Sequence, residues 1–112
     1  MDENDVKIAV ELAKCPQMAY LRKELARRGY DFTTGDEVRE DITTEYRYAM
    51  LRTHFRSARG FDTSVIWGYT EYHGTDVYYS TYGAPDMLEC WPIMGIGDPV
   101  PMTADDILRE CA

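Results

Sequence analysis

The spacing of apolar residues predicts two short helices at the start of the chain. Apolar residues in 4–14 recur at intervals of three and four, which is typical of one buried helix face. Pro16 cannot continue that helix but suits the first turn of a second one, which we expect to reach about Arg28. Gly29 then follows at the position where a glycine commonly ends a helix.

Residues 34–59 predict a third and longer helix. Thr34 and Glu37 have the spacing of a capping box, in which each side chain accepts from the other residue's backbone N–H. Gly60 would end this helix, and its two apolar stripes favour packing on two sides. A break near residues 43–44 is the alternative. Three arginines would project close together at intervals of four and three residues: Arg52, Arg56 and Arg59.

The periodicity changes after residue 60. Segments 64–73 and 77–82 are rich in aromatic and β-branched residues, and they predict two strands joined by a turn at Gly74. A two-residue turn would place His73 opposite Asp76. A longer turn would shift the register and rearrange the cross-strand pairs.

The remainder of the chain predicts shorter elements. Segment 87–96 is apolar enough for a third strand, which Pro92 confines to a sheet edge or a bulge. Residues 95–101 predict a connecting loop. Thr103 and Asp106 have the pattern of an N-terminal cap, which predicts a short last helix.

Together these elements predict an α+β fold. We expect N-terminal helices, two short and one long, to pack on a small antiparallel sheet built around a β-hairpin, with a short C-terminal helix. The length of 112 residues fits a single domain. Within it, residues 1–60 form a mainly helical half and residues 61–112 a mainly β half.

The distribution of charge divides the chain at the same place. The chain has 12 Lys and Arg against 20 Asp and Glu, for a formal net charge of −8. Residues 1–60 are neutral in sum, so the whole excess lies in residues 61–112, whose one basic residue is Arg109. This argues against sequence-independent nucleic-acid binding, which needs Lys and Arg to neutralise phosphates. Acids without local counter-ions instead favour a basic protein partner.

The acidic half is also rich in aromatic residues, and Tyr and Trp are enriched at protein interfaces. We therefore expect a non-enzymatic domain that captures a basic protein surface, such as that of a nucleic-acid enzyme. Small acidic inhibitors of restriction or CRISPR nucleases, from phages or mobile elements, are similar in physical profile, and so are immunity proteins against nuclease toxins. No motif of these families is present. The expected contact residues are Asp62, Glu71, Asp76, Asp86, Glu89, Tyr69, Tyr72, Tyr78 and Trp91.

The same acids and aromatic residues also fit different roles. Acidity can serve solubility alone, and tyrosines can simply fill a sheet. A small enzyme or ligand-binding domain with a Tyr- and Trp-lined pocket is one alternative, in which Glu71, His73 and Asp76 would bind a divalent metal or transfer protons. An oligomeric accessory protein whose aromatic face pairs with itself is another.

The composition also bears on compartment and cofactors. Three cysteines without paired spacing do not describe a disulfide framework or a zinc site. Residues 1–5 are acidic rather than apolar, so we expect no signal peptide, and no apolar run approaches the ~20 residues that span a bilayer. We expect a cytoplasmic protein with reduced thiols, without a cofactor, and without direct contact to nucleic acid or membrane.

Overall fold

The protein has an α+β fold in which three helices and a six-stranded antiparallel open sheet are seen in the described residues. The computed structural model describes residues 3–30, 37–56, 62–73, 76–81, 83–91 and 98–110. The elements in chain order are α1 (Glu3–Leu12), α2 (Pro16–Arg27), β1 (Glu37–Ile42), β2 (Tyr46–Arg56), β3 (Asp62–Tyr72), β4 (Val77–Tyr79), β5 (Leu88–Cys90), β6 (Val100–Met102) and α3 (Ala104–Glu110).

The two N-terminal helices confirm the prediction from apolar spacing. Pro16 stands in the first turn of α2, where its missing N–H costs nothing. The Cys15 sulfur caps this helix by accepting from the Met18 backbone N–H at 3.4 Å. Gly29 has a φ of +81°, a conformation that glycine adopts without strain, and it lets the chain leave the helix.

The predicted long helix over 34–59 is wrong. The structure has an antiparallel hairpin there, with β1 and β2 joined at residues 43–45, close to the break that the sequence allowed. Thr34 of the expected capping box lies outside the described residues, and Glu37 begins β1 rather than a helix.

The physical reason for this error is visible in β2. Ala49, Leu51, Thr53 and Phe55 are all at most 1% exposed, so every second residue faces the core, as in a strand. Met50 on the other face is buried too, at 8% exposed. Apolar residues on both faces blurred the alternation and imitated helical stripes. Eleven residue pairs form between β2 and β3, and this pairing favours a strand over a helix for the segment.

The arginine cluster predicted on that helix does not form where the structure describes it. Arg52 and Arg56 share one face of β2 but stand four residues apart, which is about 13 Å along a strand. Arg59 lies outside the described residues.

The sheet has the order β1-β2-β3-β5-β6, and β4 also pairs with β3. Strand β4 pairs with Tyr69–Glu71 and β5 pairs with Val65–Ile66, so these two short strands lie one after the other along the same edge of β3. The strand expected within 87–96 is observed as β5. The expected loop over 95–101 is corrected in part, because its last two residues begin β6, which pairs with β5.

The β3–β4 turn is longer than two residues. Glu71 pairs with Val77, and the Tyr72 backbone N–H donates to the Asp76 carbonyl at 2.9 Å. The register therefore differs by one residue from the two-residue expectation. Because side chains alternate along a strand, Asp76 belongs to the sheet face opposite to that of Glu71.

The two faces of the sheet have different surroundings. Helix α2 buries Met18, Leu21 and Leu25 completely against one face, which we call the helix face. No described element covers the other face, which we call the outer face. The buried apolar core on the helix side comprises Ile8, Cys15, Met18, Leu21, Leu25, Ala49, Leu51, Phe55, Val65, Trp67, Tyr69, Leu88, Ala104, Ile107 and Leu108.

Helix α3 closes the helix side and confirms its predicted cap. The Asp106 backbone N–H donates to the Thr103 hydroxyl and the Thr103 N–H donates to the Asp106 carboxylate, both at 3.1 Å. Helix α2 holds α3 in place, because the Gln17 side chain accepts from the Ala104 N–H at 2.7 Å and Arg28 donates to the Leu108 carbonyl at 3.1 Å.

Candidate functional site

One end of the sheet exposes a group of apolar side chains. The β1–β2 and β3–β4 turns meet there because Tyr46 pairs with Tyr72 and β4 lies on the far side of β3. The exposed fractions are 68% for Ile42, 46% for Tyr72, 44% for Val77 and 60% for Tyr78. We call this end the hairpin-end surface, made up of Ile42, Tyr46, Tyr72, Val77 and Tyr78 with the acids Asp41, Glu45, Glu71 and Asp76.

The tyrosines of this surface hold one another in position. The rings of Tyr46 and Tyr72 lie 6.0 Å apart, and those of Tyr72 and Tyr78 lie 5.6 Å apart in an edge-to-face arrangement. Such ring pairs are favourable beyond the area that they bury. The surface is therefore partly ordered before anything binds to it.

Carboxylates surround these rings. Asp41, Glu45 and Asp76 are exposed and Glu71 is half-buried. The Tyr46 hydroxyl donates to Asp41 at 3.2 Å, and this hydrogen bond raises the pKa of Tyr46. The hydroxyl therefore stays protonated and keeps its role as a donor at neutral pH.

A groove of about 490 Å³ runs through the hairpin-end surface. Its polar groups come mainly from neighbouring strands, where Arg47 of β2 pairs with Glu71 of β3, and His73 follows two residues later. The groove is lined by Ile42, Thr43, Tyr46, Arg47, Glu71, Tyr72, His73 and Val77.

The Arg47 guanidinium is already engaged by acids of the chain. It donates to Glu11 at 3.0 Å and to Glu40 at 3.1 Å, and Glu11 has a side chain only 3% exposed. Burial lowers the pKa of Arg47, but its hydrogen bonds to Glu11 and Tyr69 outweigh this effect and leave the pKa above the ordinary value. Arg47 therefore does not offset the carboxylates of the surface.

Tyr69 joins this buried group of charges. Its hydroxyl donates to Glu11 at 3.0 Å and accepts from Lys14 and Arg47, each at 2.8 Å. The hydrogen bond with Tyr69 raises the pKa of Lys14. All three hydrogen-bonding positions of the hydroxyl are used, so we regard this group as part of the fold that fixes α1 to the sheet.

The structure divides the residues expected to contact a partner. Tyr72, Asp76 and Tyr78 lie on the outer face at the hairpin end, and Glu71 lies at the same end on the helix face. Tyr69 is only 2% exposed and belongs to the core, so it has no place on a contact surface.

The remaining expected residues lie elsewhere. Asp62 begins β3, ten residues or about 33 Å from Tyr72. Trp91, which is 39% exposed, lies near that far end because its backbone N–H donates to the Ser64 carbonyl at 3.0 Å. Glu89 lies between the two ends on the outer face, opposite Ile66, and Asp86 is exposed in the turn before β5.

The proposed trio of Glu71, His73 and Asp76 does not share one face. Glu71 and His73 line the groove, whereas Asp76 is turned to the other side by the longer turn. No group of three or more His, Cys, Asp or Glu side chains in the described part of the chain could hold a metal ion. Burial also raises the pKa of the Cys15 thiol to about 11, so this thiol is a poor nucleophile.

Sequence reasoning missed the half of the surface that comes from the β1–β2 turn. Asp41, Ile42, Glu45 and Tyr46 were assigned to a helix. The polar run at 43–45, with Tyr46 and Tyr48 at alternate positions after it, was the signal that could have located them.

Comparison with protein families, with curated proteins and with solved structures finds no match to this chain. Among the described helices, none combines the length and apolar content that crossing a membrane requires.

Proposed function

We propose that this protein is a non-enzymatic binding domain that captures a basic protein surface through the hairpin-end surface. The observation that carries the proposal is the meeting of exposed tyrosines and apolar residues with four carboxylates at one end of the sheet. Aromatic side chains provide contact area at small entropic cost, and carboxylates attract and orient a partner rich in Lys and Arg.

The class of partner follows from the charge. Highly basic surfaces are typical of enzymes that act on nucleic acids, because such enzymes must bind phosphates. The target is therefore a nuclease or related enzyme, and the protein acts as an inhibitor of the anti-restriction or anti-CRISPR type or as an immunity protein. Its compartment would be the cytoplasm, where the thiols of Cys15 and Cys90 would stay reduced.

The test is binding of the purified chain to a panel of purified basic enzymes: a restriction endonuclease, a CRISPR effector nuclease and a nuclease toxin. The variant Glu71→Lys/Asp76→Lys removes two carboxylates from the hairpin-end surface. The control Glu3→Lys/Glu110→Lys makes the same change in net charge at exposed positions of α1 and α3, which are not among the residues of that surface.

We expect the hairpin-end variant to weaken binding at least tenfold, mainly through slower association at low salt, and the control to change it about twofold or less. Tyr78→Ala should weaken binding through faster dissociation. Equal effects of the two double variants, or binding to none of the enzymes, would overturn the proposal. A light-scattering mass of a dimer that Tyr78→Ala dissociates would instead indicate self-association.

A further inference from the structure

A second cavity lies on the outer face, between the ends of β4 and β5. Its volume is about 260 Å³, and it is lined by Ser80, Thr81, Glu89, Pro99 and Pro101. It lies where β4 ends and β5 begins, because these two strands pair with separate parts of β3. One water takes up about 30 Å³ in the liquid, so the cavity has room for a larger group.

Gly68 leaves space above the sheet on the part of the outer face beside the cavity, because it has no side chain. It stands in β3 opposite Ser80, whose backbone N–H donates to the Gly68 carbonyl at 2.9 Å. A Cβ atom at this position would lie 2.8 Å from the Ser80 hydroxyl oxygen and 3.1 Å from the Ala49 carbonyl oxygen. The glycine therefore lets Ser80 approach the sheet beside the cavity.

The one carboxylate among the described residues of the cavity wall lacks a partner. The Glu89 carboxylate makes no hydrogen bond or ion pair within the described chain, and its pKa is raised by burial alone. The Thr81 side chain is 4% exposed, and its hydroxyl oxygen has no hydrogen-bond partner among the described residues. That oxygen has almost no accessible surface, so it is enclosed by the protein and is not open to an occupant of the cavity.

The wall offers acceptors and few donors. Glu89 when ionised can only accept, and Pro99 and Pro101 have no backbone N–H to donate. The occupant that suits such a wall carries a positive charge and several N–H donors. A water molecule in the cavity would leave the charge of Glu89 without a counter-ion.

We propose that this cavity is a subsite for an ammonium or guanidinium group, with Glu89 as its counter-ion and the Ser80 hydroxyl as a hydrogen-bond partner. Tyr78 and Ser80 share the outer face and stand two residues apart, or about 7 Å. A Lys or Arg of a protein seated on the hairpin-end surface would therefore reach the cavity, and in this form the inference rests on the proposed function. A free small amine would use the same chemistry without it.

The first experiment uses the chain alone, so it does not depend on any partner. Butylguanidinium chloride is titrated into the ¹⁵N-labelled protein, with N-butylurea as a probe of similar shape without the charge and with sodium chloride as the salt control. We expect saturable shifts of the amides around Ser80, Thr81, Glu89 and Cys90 at millimolar concentrations of butylguanidinium only.

Two variants probe the wall, and a third is the matched control. Glu89→Gln keeps the shape and removes the charge, and Ser80→Ala removes the hydroxyl that lines the cavity. Glu3→Gln makes the same chemical change on α1, on the other side of the sheet, where the Glu3 side chain is 87% exposed. We expect at least a tenfold loss of affinity for Glu89→Gln, a several-fold loss for Ser80→Ala and no change for Glu3→Gln. Absence of saturable shifts, equal binding of N-butylurea, or unchanged affinity in both wall variants would overturn the proposal.

A second experiment identifies the source of the cation. Binding of a basic enzyme captured in the panel above is measured with and without saturating butylguanidinium. Weaker capture would assign the subsite to a side chain of the partner, and unchanged capture would overturn that assignment in favour of a free amine. Loss of capture in Glu71→Lys/Asp76→Lys together with a negative titration would leave the proposed function standing without this subsite.

Discussion

Two glutamates, Glu11 and Glu89, lie on opposite sides of the sheet and differ in whether the protein supplies partners for their charge. Glu11 on the helix side is buried with Arg47 and the Tyr69 hydroxyl bonded to its oxygens. Glu89 on the outer face is half-buried with no bonded partner in the described chain. Burial penalises both charges, but only Glu11 is compensated within the molecule. A paired buried charge thus holds a fold together, whereas an unpaired one is available to a ligand.

Removal of the buried and paired Glu11 side chain should have the largest effect on stability. Glu11→Ala removes the acceptor of two hydrogen bonds and leaves Arg47 and Lys14 with less negative charge nearby. We expect a loss of about 3 kcal/mol in the free energy of unfolding, as is usual when one partner of a buried ion pair is removed. Urea denaturation monitored by circular dichroism measures it.

Glu40→Ala is the control for this prediction. Glu40 bonds to the same Arg47 but is less buried, with 25% of its side chain exposed, so its removal should cost less than about 1 kcal/mol. A similar loss in both variants would mean that burial of Glu11 is not what makes its ion pair important.

Tyr69→Phe tests the hydroxyl of the same group. The ring remains packed against Trp67 at 5.1 Å, but Glu11, Lys14 and Arg47 each lose one hydrogen bond. We expect a cost of about 2 kcal/mol from these unmade bonds. The same denaturation measurement on Tyr78→Phe, whose side chain is 60% exposed on the outer face, should give no change within about 0.5 kcal/mol. Equal costs at the two tyrosines would contradict the difference between the faces.

The smallest expected effect on stability concerns Glu89 on the outer face and depends on pH. Burial raises the pKa of Glu89, so the folded state holds this proton at pH values where the unfolded chain has released it. Stability is therefore lost as the pH rises through the interval between the unfolded and folded pKa values. Glu89→Gln has no such loss. At pH 7 its free energy of unfolding should therefore exceed that of the natural chain by up to about 1 kcal/mol.

The difference between Glu89→Gln and the natural chain should disappear below the unfolded pKa of glutamate. Denaturation at a series of pH values measures it, with Glu3→Gln as the exposed control. A gain that persists at low pH, or an equal gain in Glu3→Gln, would show that the burial of Glu89 is not its cause. The pKa of Tyr48 also depends on Glu89, because burial raises this pKa and the nearby Glu89 carboxylate raises it further.

The N-terminal helices, the last helix and the position of the β3–β4 turn could be predicted because their signals are local. Pro16, Gly29 and the Thr103–Asp106 cap act within one turn of chain. The hairpin of β1 and β2 could not be predicted in this way. Its apolar residues fit both periods, and the choice between them depends on pairing with β3, which lies later in the sequence.

The residues of the candidate site also divide into those that local sequence predicts and those that depend on strand pairing. Glu71, Tyr72, Asp76 and Tyr78 were predicted because they crowd one short segment, and all four lie at the same end of the sheet, with Glu71 on the helix face and the other three on the outer face. Their neighbours from the β1–β2 turn required the correct register of β2 against β3. A single additional residue in the β3–β4 turn was enough to turn Asp76 away from Glu71 and His73.

The amino-acid order was enough to establish the α+β class, the helix ends and the concentration of negative charge after residue 60, because these depend on composition and on contacts between near neighbours. The folded chain was needed to establish that Tyr69 is buried, that Tyr46 stands beside Tyr72, and that Glu89 lacks a counter-ion among the described residues. Each of these depends on which strands pair and in which register. Those choices are made by cooperative burial across the whole sheet, which no short stretch of sequence encodes.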